Sequence, residues 1–197
     1  MRIATLMAGM VMAAVAAPGL AAEKVRVVNE GGIKDQWTLA EGTKLAAPGY
    51  PAALVERGDS VCLALGYAIK PDGTTSDFSI VKSWSSAGQD QADEYWDAFA
   101  QASAGAVSQW AFAPRPEVAE PQPTYTVATM QFMGKPAMDG AELRGHCRVE
   151  DLVAQLKRND RNNPMNSQVR RDIEQAERNR MSQGFVPPVR PRPANGG

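Results

Sequence analysis

The chain has 197 residues, 44% hydrophobic and 22% charged, with a formal net charge of -1. That length holds one domain of ordinary size with tails, and the composition excludes a wholly disordered chain. A single histidine excludes a multi-histidine metal site and leaves one imidazole as the base for any serine or cysteine nucleophile.

The small net charge conceals an asymmetry. Residues 23–143 carry 16 Asp/Glu against 9 Lys/Arg, while residues 144–197 carry 11 Lys/Arg against 6 Asp/Glu. An acidic body is followed by a basic tail, which either docks on or is solvated beside its own body, or is drawn to an anionic envelope surface.

Arg2 is the only charge before Glu23. An apolar, Ala-rich run fills residues 3–17, Pro18-Gly19 breaks it, and Leu20-Ala21-Ala22 offers small residues. This is the layout of a secretory signal peptide, residues 1–22, cleaved before Glu23. The competing reading is a retained membrane anchor, since the run has about the minimum length to span a bilayer.

Export makes the cysteines informative. Cys62 and Cys147 are the only two, and an oxidising compartment favours a disulfide between them over two unpaired thiols. Closing a loop of that length contributes up to roughly 4–5 kcal/mol in the chain-entropy model. There is no Cys-x-x-Cys pair, which argues against a thioredoxin-like redox role.

A lead-in, residues 23–47, holds a short apolar alternation at 25–28 and a second candidate strand at Trp37-Thr38-Leu39. The main strand follows at residues 61–69. Val61, Leu63, Leu65, Tyr67 and Ile69 share one face by period two and are expected to cover a core. Cys62, Ala64, Gly66 and Ala68 form the other face. They are small and uncharged, so another element is expected close against them, held there by Cys147. Pro71-Asp72-Gly73 reads as a hairpin turn, because Pro presets φ and Gly accepts a positive one. The second strand is expected over residues 76–82. A loop at Ser85-Ser86-Ala87-Gly88 leads to a helical pattern from Asp90, in which Ala92, Tyr95, Trp96, Phe99, Ala102, Ala106 and Trp110 recur at spacings of three and four. Ser103-Ala104-Gly105 weakens its middle, since glycine costs about 1 kcal/mol in a helix. The helix is expected to stop before Pro114. A proline-rich connector leads to a third strand, residues 124–132, rich in β-branched and aromatic residues. Beyond it, residues 148–158 form a candidate short helix, 166–180 carries only a thin apolar stripe, and 184–197 is proline-rich with no core-forming pattern.

Tyr50-Pro51, a strand, Pro71-Asp72-Gly73, a second strand, a helix, Trp110-Ala111-Phe112-Ala113-Pro114 and a closing strand together resemble the TonB C-terminal domain family. The resemblance covers residues 48–134. It implies an α+β fold: a small antiparallel sheet of about three strands, ordered β-β-α-β, with one helix packed across it. Residues 135–184 would then be a charged, partly helical extension and 185–197 a disordered tail. The resemblance also implies a non-enzymatic periplasmic binding module of the Gram-negative envelope, taking an envelope protein by strand addition or contacting peptidoglycan. On that basis Tyr50, Pro51, Thr124, Thr126, Ala128 and Met130 are the candidate binding residues, the last four on an open edge that also permits a homodimer by strand pairing. The alternative it implies is a membrane-anchored energy transducer for outer-membrane transport. Against that stand the cleavable N-terminal segment, its lack of histidine and the absence of a long proline-rich spacer. Membrane contact is expected only if residues 1–22 stay uncleaved.

No constellation points to catalysis, a metal or another cofactor. Asp90, Asp93, Glu94 and Asp97 lack EF-hand spacing and read as a solvated helix start. No phosphate-binding glycine loop is present, and export argues against nucleic acid as a partner.

Overall fold

Residues 25–162, with Glu174 and Arg178, are described by the structure, a computed structural model. The expected signal segment at 1–22 lies outside the described residues, as do the expected proline-rich end and the stripe at 166–180 apart from those two helical, exposed positions.

In chain order the elements are β1 (Arg26–Val27), β2 (Trp37–Leu39), β3 (Val61–Ile69), β4 (Thr75–Ser85), α1 (Asp93–Val107), β5 (Phe112–Pro114), β6 (Thr124–Phe132), α2 (Gly140–Cys147) and α3 (Leu152–Asn162). One sheet has the order β1-β6-β3-β4, and β2 pairs with β5 in a second. β3 lies between β4 and β6, antiparallel to both, while β1 runs parallel to β6.

The α+β class holds, but the expected three strands become six among the described residues. β3, β4 and β6 form where expected, with β4 longer at both ends. The addition comes from three short segments, β1 beside β6 and the pair β2 and β5. Trp37–Leu39 pairs antiparallel with Phe112–Pro114, placing Trp37 opposite Pro114 and Leu39 opposite Phe112. The stretch expected to finish the helix is therefore a strand. Trp110 continues the helical spacing of Ala102 and Ala106, so periodicity alone hides the break after Val107. The Phe112 amide then donates to the Gly73 carbonyl at 2.9 Å, tying β5 to the hairpin turn.

The turn forms as its residues dictate. Gly73 has φ of 81°, and the Asp72 carboxylate accepts from the Thr74 amide and hydroxyl at 2.9 and 2.6 Å. α1 runs unbroken through Ser103-Ala104-Gly105. The buried Ser103 hydroxyl donates to the Phe99 carbonyl, and Gly105 faces open space.

The two faces of β3 are covered differently. Val61, Leu63, Leu65, Tyr67 and Ile69 meet Tyr95, Phe99 and Val107 of α1, with Trp37, Phe112, Met130 and Phe132 completing that core. Each fully buried large apolar side chain contributes about 1.5–3 kcal/mol. On the opposite face Ala64 packs with Val81, Tyr125 and Val127 beneath Val149, Leu152, Val153 and Leu156 of the α3 region. Cys62 is bonded to Cys147 of α2, with Leu143 and Trp84 alongside. The small residues thus leave room for α2 and α3, as their size leads one to expect.

Candidate functional site

The outer edge of β6 has two unlike halves. At its start β1 pairs with Thr124 and Tyr125, the Arg26 amide donating to the Pro123 carbonyl and the Val28 amide to that of Tyr125. β1 then ends. Side chains and backbone groups alternate along a strand with period two, so Val127, Thr129 and Gln131 turn their backbone groups the same way as Tyr125, away from β3. Among the described residues no strand continues beside them. The Glu30 carboxylate stands in that gap. It accepts from the Thr129 amide at 2.9 Å and from the Thr129 hydroxyl at 3.0 Å. An edge amide is thereby satisfied by one exposed side chain rather than by a paired strand.

Asn29 fixes where β1 stops. Its side chain donates to the Glu150 carbonyl and accepts from the Leu152 amide at the start of α3, while its own carbonyl accepts from the Thr126 hydroxyl. Gly31 at φ 80° then turns the chain into the 3-10 turn Gly32–Asp35. Arg26 and Asp35 bracket this bend with a salt bridge of 3.0 Å.

Beside the open half of the edge lies an apolar groove with a cavity of about 380 Å³. Tyr67, Phe112 and Trp37 form its floor, Leu39, Leu45 and Trp110 its walls, and Val127 and Ala128 one side. Leu39 and Leu45 are 40% and 55% exposed, among the few large apolar side chains of the described residues so placed. Tyr67 stands edge-on to Trp110, with centroids 5.9 Å apart, and stacks on Phe112 at 6.4 Å. The indole N–H groups are already used. Trp37 donates to the Thr124 hydroxyl and Trp110 to the Ala46 carbonyl, each at 3.0 Å. Trp37, Tyr67 and Phe112 are nonetheless buried, so the groove's accessible apolar surface comes mainly from Leu39, Leu45 and the half-buried Trp110, with Glu30 and Lys34 also on its lining. Burial, and secondarily the Glu30 carboxylate, push the Tyr67 phenol well above its ordinary range.

The six residues picked out from the sequence do not gather at one place. Thr124, Thr126, Ala128 and Met130 direct their backbone groups at β3, in register with Ile69, Tyr67, Leu65 and Leu63. Thr124, Thr126 and Met130 are buried, and Ala128 borders the groove. Tyr50 lies at the far end of β6, its ring edge-on to Phe99 and Phe132 and its hydroxyl donating to the Asp59 carbonyl at 2.9 Å. Pro51 precedes the 3-10 turn Ala52–Arg57. Tyr50 also borders a smaller cavity of about 170 Å³ with the exposed Val55 and Met133. The open edge itself belongs to Val127, Thr129 and Gln131, which alternation places one residue out of step with the four β6 positions read from the sequence. No residue type marks that parity, which depends on which neighbour strand each amide meets.

Beside Tyr50, the Arg57 guanidinium pairs with Asp59 at 2.9 Å and lies over the Tyr95 ring, 4.4 Å from its centroid. The Tyr95 hydroxyl bonds Asp59 and Ser85. Burial first, and the Asp59 carboxylate after it, push the Tyr95 phenol up to about 12, against the pull of the Ser85 hydrogen bond. These bonds tie the segment before β3 and the end of β4 to α1. Among the described residues no group of three or more His, Cys, Asp or Glu side chains is placed to hold a metal ion.

No family model matches this chain, and no curated protein does. Among solved structures, the C-terminal domain of Pseudomonas aeruginosa TonB, determined in solution by NMR, is similar at 18% identity. The match covers 49% of this chain and 84% of that one, with a TM-score of 0.37. It is a distant likeness in fold and says nothing of function.

Proposed function

We propose that the protein is a non-enzymatic binding module of the cell envelope, working in the periplasm, that takes an extended segment of an envelope protein along the outer edge of β6. The observation that carries this reading is the half-vacant edge: the backbone groups of Val127, Thr129 and Gln131 face away from β3, among the described residues no strand pairs with them, and the Thr129 amide is met by a side chain, Glu30. Edge strands are normally blunted, because a row of free amides and carbonyls recruits other chains. The opposite edge shows such devices. β4 carries register shifts against β3, Asp77 at φ 54° and a hydrogen bond from Asn159 to the Val81 carbonyl. The β6 edge has a groove beside it instead, which suits a strand whose alternate side chains need an apolar seat. The Cys62–Cys147 disulfide accords with an oxidising compartment.

A photo-reactive amino acid at Leu39 of the full exported chain tests the reading. Adducts with an envelope protein are expected, and Thr129→Pro, which removes an outward amide while leaving the β3 pairing intact, is expected to abolish them. Adducts unchanged by Thr129→Pro in a folded protein would sink the strand-addition reading.

A further inference from the structure

We propose that Glu30 is an autoinhibitory plug of the β6 edge, its carboxylate holding the place of a strand carbonyl that an incoming segment must take over. The inference rests on the strand-addition reading and adds a regulation to the same site. The register of β1 with β6 identifies the place. Arg26 lies opposite Thr124 and Val27 opposite Tyr125, and the Arg26 and Val28 amides donate to the Pro123 and Tyr125 carbonyls. Hydrogen bonds along a parallel pair are evenly spaced. Carried on, that register would set Glu30 opposite Ala128 and its main-chain carbonyl against the Thr129 amide. The chain instead turns away at Gly31, φ 80°, and the side chain of the same residue reaches back. Glu30 Oε1 accepts from the Thr129 amide at 2.9 Å and Oε2 from the Thr129 hydroxyl at 3.0 Å.

The contact is strong enough to compete and simple to release. An ionised acceptor makes a stronger hydrogen bond than a neutral carbonyl, and one amide proton serves one acceptor well. A segment adding to this edge must therefore expel the carboxylate. Its release needs no unfolding. Glu30 is exposed, and the backbone on either side is held independently of it. Asn29 is fixed by its bonds with Glu150, Leu152 and Thr126, and the Gly32 amide donates to the Asn29 carbonyl at 2.9 Å. Rotation of one side chain thus frees the Thr129 amide. A site that is open only part of the time binds with an affinity reduced by that fraction, so a plug in place about nine times in ten weakens binding about tenfold. While it is in place, the plug satisfies an amide that would otherwise recruit unwanted chains.

The test again uses a photo-reactive amino acid at Leu39 of the full exported chain, produced at a level too low to saturate the edge. Glu30→Ala removes the carboxylate. Thr129→Val removes the hydroxyl half of the contact and keeps both the amide and the branched shape. Each is expected to raise the yield of envelope-protein adducts, Glu30→Ala by about three- to tenfold. The two together should gain no more than Glu30→Ala alone, because they release one contact. Thr129→Pro added to Glu30→Ala should abolish the adducts. In the purified chain, Glu30→Ala should accelerate amide exchange at Thr129 and leave Thr126 and Ala128, which face β3, as slow as before. Adducts that Thr129→Pro abolishes but Glu30→Ala leaves unchanged or lowers in a folded protein would overturn the plug and leave strand addition standing. Self-association of the Glu30→Ala protein with no rise in adducts would make Glu30 a guard against aggregation alone, and would overturn it too. Adducts indifferent to Thr129→Pro would remove strand addition itself, and the plug with it.

Discussion

Gly66 illustrates how much one position in the middle of β3 is constrained. A Cβ there would run into the Tyr125 hydroxyl and approach a Val81 methyl at 2.9 Å. The hydroxyl end of Tyr125 lies over the glycine and shares a hydrogen bond of 2.8 Å with Ser79. Gly66→Ala is therefore expected to destabilise the protein by about 1–3 kcal/mol, the usual cost of overpacking a filled interior. Combined with Tyr125→Phe, which removes the colliding oxygen, it should cost less than the sum of the two single changes. Urea unfolding of the four proteins checks this, and strict additivity would mean the strain lies elsewhere. The small side chains of Cys62, Ala64, Gly66 and Ala68 were enough to say that something lies close to this face. They did not say that Tyr125, far along the chain, is what Gly66 accommodates. Side-chain size reports that room is needed, and only the register of β3 with β6 reports for whom.

Among the elements, long periodic ones were legible and short ones were not. β3, β6 and α1 each hold an uninterrupted pattern over nine or more residues. β5 has three residues and α2 has eight, too few to declare a period. α2 did leave one signal. Asp139 and Glu142 have the spacing of a capping box, and the Asp139 carboxylate accepts from the Ala141 and Glu142 amides at 2.9 Å. Only Leu143 and Cys147 of this helix are buried, so the disulfide is its main attachment. α3 is held otherwise, by Leu152, Val153 and Leu156 in the core and by Asn29 at its first turn. Replacing both cysteines by serine is thus expected to act unevenly. Overall stability should fall by about 2–5 kcal/mol, in line with the loss of a native disulfide. Amide exchange should accelerate in α2 well before α3, and Trp84 emission should change as His146, stacked on it at 3.8 Å, moves off. Equal acceleration in the two helices would show that they open as one unit and that α2 has no separate dependence on the bond.

At the scale of the whole molecule, the sheet edge and the groove are products of assembly. Their residues come from the 3-10 turn after β1, from β2, from β5 and from β6, and no motif joins segments so far apart. The same assembly encloses the phenols. All four tyrosines, Tyr50, Tyr67, Tyr95 and Tyr125, are held above their ordinary ionisation range, in each case chiefly by burial. A free phenol ionises near about pH 10. Above that pH the unfolded chain releases protons that the native chain still holds, so the unfolded state binds fewer protons and stability falls as pH rises. The contribution is intact below pH about 10 and is lost across the interval up to the native values, which for Tyr95 is about 12. Phenolate absorbance followed alongside far-ultraviolet circular dichroism is expected to show no ionisation of the native protein near pH 10, then joint appearance of phenolate and loss of structure at higher pH. In denaturant all four should titrate near about pH 10. Tyr95→Phe keeps the ring beneath Arg57 but removes one of the withheld protons, so the alkaline decline should become shallower. A native phenol that ionises near pH 10 while the dichroism stays unchanged would place that tyrosine outside the enclosure, and the position of the early signal after each Tyr→Phe change would identify which one it is.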